Sequence, residues 1–118
     1  MDLSLLNPVL AAISVALGLF GWLAPAYTMQ VVDLRPGASP MGASEVRAAS
    51  GALFVGMGLG ALWLNIPAAY AMLGFCWAGA AAGRATSLAL DGVTQKKWVF
   101  FGTEAAVALI ALALNLGH

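Results

Sequence analysis

Residues Gly83–Glu104 read GRATSLALDGVTQKKWVFFGTE, with an arginine and a glutamate set inside two otherwise apolar runs that a short polar hairpin joins. Arg84 lies seven residues before Asp91, and Glu104 lies seven residues after Lys97. If both runs are membrane-crossing helices, a rise of ~1.5 Å per residue puts each charge roughly 10 Å inside the same membrane face. Opposite charges at one depth on adjacent antiparallel helices are expected to contact each other, directly or through one bridging group. The rest of the chain is organised around this pair.

The composition requires a membrane. Of 118 residues, 62% are hydrophobic and only 8% charged, with a mean hydropathy of +0.91; a soluble domain carries about 25% charged residues. Too little polar surface exists to cover a soluble globule. Four apolar runs with short connections suit one transmembrane domain over residues 1–118. A net charge of zero gives no support for nucleic-acid binding. Cys76, the single cysteine, sits in the middle of an apolar run and reads as a small packing residue, with no intrachain disulfide or metal cluster to join. Ala24-Pro25-Ala26 has the look of a small-residue cleavage site. The preceding segment, however, carries Asp2, no Lys or Arg, and an apolar run too long for a signal peptide, so it is expected to stay as the first helix.

The pattern predicts an all-α integral membrane four-helix bundle, with helices over about 3–23, 44–64, 68–90 and 96–115. Each is long enough for a ~30 Å hydrocarbon layer. Pro8 fits the first turn of the first helix, and Trp22 and Tyr27 mark its far end as interfacial aromatics. Residues 25–43, with Asp33, Arg35, three prolines and two glycines, are expected to be irregular with at most a short interfacial turn, as a linker or as a lid over the polar cluster. Ser44 is expected to cap the second helix and Glu45 to complement its dipole. Ala48, Ala52, Gly56 and Gly60 form a small-residue stripe for close helix packing, with Gly51 and Gly58 thinning the same helix further, and Gly79, Gly83 and Ser87 form a second stripe on the third helix. Trp77, in mid-span, needs a partner or a cavity for its indole N–H. His118 reads as a solvated terminal residue.

With four spans, Arg35, Arg47, Arg84, Lys96 and Lys97 all fall on one side, and the other side holds no Lys or Arg. The positive-inside rule then puts the two polar loops in the cytoplasm and both termini on the non-cytoplasmic side. Glu45, Arg47, Arg84, Ser87, Asp91 and Glu104 converge on the cytoplasmic half as the candidate polar cluster. A charge within lipid costs ~2.5–3.5 kcal/mol on insertion scales, so these groups should face inward and pair. Arg47 is expected to join Glu45, Asp91 or Glu104. Two readings of the cluster stay open: a structural clamp, or a site for an anionic headgroup, a substrate or a coupled proton.

Three pieces coincide: SEVRAASGALFVGMG opening the second helix, GRATSLALDG closing the third, and the glutamate one third into the fourth. Together the chain resembles the small bacterial four-helix membrane proteins of domain-of-unknown-function family 4345, over nearly its whole length. Ala49-Ser50 stand where that pattern has a bulkier aromatic before the glycine. The resemblance implies the fold and a bacterial inner-membrane location, and it supplies no activity. A more distant likeness to DoxX-like four-helix proteins, some tied to quinone-linked oxidoreductases, is architectural only.

No H-E-x-x-H, serine–histidine pair or glycine-rich phosphate loop is present. The expected function is therefore non-catalytic, with no cofactor: an accessory subunit of a larger membrane complex, or a lipid-binding protein. Its expected partners are the bilayer, other membrane subunits or a second copy, and a bound lipid or quinone. One alternative is a small proton-coupled transporter, built on four helices and a membrane glutamate. A guanidinium beside Glu104 would occupy the carboxylate and work against its exchange between a proton and a cation. The other alternative is a quinone-associated redox component beside Arg84 and Trp77; haem ligation is disfavoured because the sole histidine is terminal and Cys76 has no partner.

Overall fold

The computed structural model describes residues 2–117; His118, expected to be solvated, lies outside them. The chain is all-α, with five helices: α1 (Leu3–Leu23, its first turn 3-10), α2 (Pro25–Val31), α3 (Met41–Leu64), α4 (Pro67–Leu90) and α5 (Gln95–Asn115). α1, α3 and α5 are long and apolar enough to cross a membrane. α4 is as long as α3, 24 residues, but Arg84, Thr86, Ser87 and three glycines lower its hydropathy. Large apolar side chains stay exposed along the helices, among them Leu5, Leu23, Leu109 and Trp63, the last at 89%. That surface is unsuited to water and suited to lipid.

The helices divide into two compact units, residues 8–63 and residues 2–7 with 64–117. In the first, α1 and α3 approach backbone to backbone. A Cβ placed on Gly58 would lie 2.6 Å from the Ala11 carbonyl oxygen, and one on Gly18 would lie 2.6 Å from that of Gly51. Gly21 and Gly51 face each other just as closely. The expected stripe is displaced: a Cβ on Gly56 or Gly60 would meet nothing within 4 Å. A π turn at Ala48–Ala52 lies inside α3. The buried row of α3 runs Val46, Gly51, Val55, Gly58, Ala61, and its first step is five residues, the span of a π turn. That wide turn keeps Val46 on the face of Gly51, and beyond it the packed row runs through Val55, Gly58 and Ala61 beside Gly56 and Gly60.

Residues 25–43 are more helical than expected. Pro25 occupies the first turn of α2, where its missing N–H costs nothing and its fixed φ is already helical. Pro25 was expected to open an irregular connection rather than a helix. Beyond the last residue of α2, Asp33 has a left-handed φ of 61°, and the Leu34 N–H donates to the Met29 carbonyl at 2.8 Å, closing the helix. α3 starts three residues before Ser44, at Met41, behind Pro40. Ser44 is therefore not the cap; its N–H already donates to the Pro40 carbonyl, 3.1 Å, and Ser39 Oγ accepts from the Met41 N–H, 3.3 Å.

In the second unit α4 and α5 form an antiparallel hairpin across residues 91–94. Gly74 lets the helices close, since a Cβ there would stand 2.9 Å from that of Ala111. Tyr70, Leu73, Trp77 and Ala81 make the buried row of α4, and Val107, Ala108, Ala111 and Asn115 that of α5, both at the three-and-four spacing of one helix face. Asn65, left-handed at φ 48°, turns the chain into α4 and accepts from Tyr70 Oη at 2.8 Å.

Candidate functional site

Arg84 follows Ala81 on the buried row of α4 by three residues, and Glu104 precedes Val107 on that of α5 by the same step. Helical periodicity therefore turns both side chains toward the opposite helix. They meet side-on: Arg84 Nε donates to Glu104 Oε1 at 3.1 Å, and Nη2 donates to Oε2 at 3.0 Å. Two parallel N–H···O bonds fix orientation as well as distance. Phe100, one turn from Glu104 on α5, lies 5.3 Å from the Arg84 Cζ and offers its ring face to the cation. The pair expected from depth alone is the pair observed.

Of the other residues expected in the cluster, Ser87 and Asp91 lie in the same unit. The Asp91 N–H donates to the Ser87 carbonyl at 2.8 Å and closes α4; the Ser87 side chain is half-buried and Asp91 is exposed. Thr94 Oγ1 accepts from the Lys97 N–H, 3.1 Å, as the N-cap of α5, and Lys97 Nζ donates to the Gly92 carbonyl, 2.8 Å. Glu45 and Arg47 belong to the other unit. Glu45 is exposed. Arg47 takes no acid there: its Nη1 donates to the Trp22 carbonyl at 2.7 Å, tying α3 to the end of α1. A late-helix carbonyl has no partner within its own helix, and a cation suits that negative end.

The alignment of motifs with this geometry has a counterpart in the family comparison. The model of a domain of unknown function, DUF4345, matches residues 4–115. The chain belongs to the DUF4345 family. Neither the curated proteins nor the solved structures gave a match. In this DUF4345 chain the matched segment carries every residue of the polar cluster, together with two that sequence reasoning passed over.

Those two are Asn7 and Asn115. Each amide donates its Nδ2 to the other's Oδ1, at 2.9 and 2.8 Å, and Asn115 also donates to the Ala111 carbonyl at 2.6 Å. Both are buried. The signal was present, since each is a lone amide near one end of an apolar run. At such a position it reads as an ordinary interfacial residue.

Proposed function

We propose that this DUF4345 chain is a non-catalytic, multi-pass protein of the bacterial inner membrane, an accessory element that binds lipid or the subunits of a larger membrane complex. In this reading α1, α3, α4 and α5 all span the bilayer. The hairpin at residues 91–94 lies on the cytoplasmic side and both termini lie opposite. The lysines and arginines at one end of that arrangement support the orientation, and the apolar exposure of the helices supports the bilayer as the main partner.

The observation that carries the non-transport reading is the bidentate Arg84–Glu104 bond. Proton-coupled export needs a carboxylate free to trade a proton for a cation. Here both carboxylate oxygens are taken by a guanidinium, which suits a clamp between α4 and α5. Extraction from native membranes in a gentle detergent tests the proposal. Recovery with a subunit or a retained lipid is expected. Recovery only as a bare, lipid-free monomer overturns it, and electrogenic uptake in proteoliposomes that Glu104→Gln abolishes would restore the transporter.

A further inference from the structure

The two partners of the ion pair are unequally covered. The Arg84 side chain keeps 33% of its exposure and Glu104 keeps 12%. A group approaching this part of the hairpin therefore meets the cation first, and the sign of its preferred ligand is negative.

The free part of the guanidinium is also defined. Arginine presents five N–H donors in a planar fork; Glu104 takes one from Nε and one from Nη2, and Phe100 lies against the ring-facing side. The Nη1 edge remains, with the second Nη2 hydrogen. Ser87, half-buried, follows Arg84 by one turn on the same row of α4, toward the hairpin. Lys97, half-buried, lies two turns from Glu104 on the same row of α5, also toward the hairpin, and its Nζ spends one bond on Gly92.

We infer that the outward edge of Arg84, with Ser87 and Lys97, binds one phosphate-type oxyanion, with the headgroup of an anionic lipid as its source in the membrane. The guanidinium then bridges two anions: Glu104 on its Nε side fixes its plane, and the phosphate takes the Nη1 side. Arginine suits this role because its fork stays charged and planar while shared. The inference deepens the lipid-binding reading and rests on its placement of the hairpin at a membrane face.

The test uses the full chain in nanodiscs of phosphatidylglycerol and phosphatidylcholine, with native mass spectrometry counting retained lipid. A second arm uses phosphatidylcholine alone with inorganic phosphate. Wild type should retain one phosphatidylglycerol. The double variant Arg84→Gln/Glu104→Gln, which strands no charge, should retain about tenfold less, as befits the loss of charge-assisted bonds. Glu104→Gln alone should retain at least as much as wild type, because the cation is left without its competitor. Should the double variant fail to fold, Arg84→Lys serves in its place, keeping the charge and losing the fork, with a several-fold loss expected. Phosphate bound in the second arm, and lost with Arg84, supports the oxyanion site and assigns its source to the soluble phase. Equal lipid retention by wild type and double variant overturns the site. If wild type still copurifies with a subunit or lipid in that case, the proposed function stands without it; a bare monomer from native membranes removes both.

Discussion

Arg84 and Glu104 show what a single charge in an apolar run can determine. Its cost in lipid requires a partner, and the helical repeat fixes where that partner must lie. Removing one member strands the other, so Glu104→Ala should lower the melting temperature in detergent. The loss should be about 1–3 kcal/mol, less than the ~3–5 kcal/mol of a fully buried pair because Arg84 is a third exposed. Adding Arg84→Ala should recover part of that loss, and simple additivity would refute the clamp. The amide pair behaves in the same way with neutral groups. Asn115→Ala leaves a buried Asn7 amide unsatisfied, at about 1–3 kcal/mol, and the apolar double replacement Asn7→Leu/Asn115→Leu should melt above that single variant. The first pair was legible because charges are rare in such runs and can be counted inward from a hairpin. The second was not, because an asparagine near a helix end is unremarkable until its partner is known.

At the scale of the helices, the informative residues are the glycines that do and do not pack. Gly58→Ala forces a Cβ onto the Ala11 carbonyl and should cost about 1–3 kcal/mol or separate α1 from α3. Gly56→Ala and Gly60→Ala place a Cβ in open space and should be neutral or stabilise by up to about 1 kcal/mol through helix propensity. Melting of the three variants under one condition checks this; a large loss at Gly56 would mean the packed row is misassigned. The long helical stretches are legible from hydropathy, and their ends fall within a few residues of Pro67, Leu90 and Asn115. Which small-residue row of α3 packs is not, because Gly51 and Gly58 lie beside Ala52, Gly56 and Gly60 and composition does not choose between them. A π turn differs from an α turn only in which carbonyl each N–H selects, and Ala48–Ala52 carries no compositional mark of that choice. α2 escaped for a related reason: Pro25 reads equally as the end of one helix and the first turn of the next.

For the whole molecule, the proposed arrangement makes a directional prediction. In a Cys76→Ala background, Gly92→Cys should resist a membrane-impermeant thiol reagent added to spheroplasts and react once the membrane is opened. Asn65→Cys should react from outside without opening. Labelling of Gly92→Cys from the outside would invert the topology and move the polar hairpin to the other face. The paired amides bear on how such a chain is made. Asn7 and Asn115 are 108 residues apart, so a ribosome adding ~5–20 residues per second completes the second roughly 5–22 s after the first. Throughout that interval the earliest helix enters the bilayer with an amide whose permanent partner does not yet exist. α5 is thus the helix that gives the Asn7 amide of α1 its partner, and a chain stalled before Asn115 leaves that amide without the two bonds it has in the folded protein.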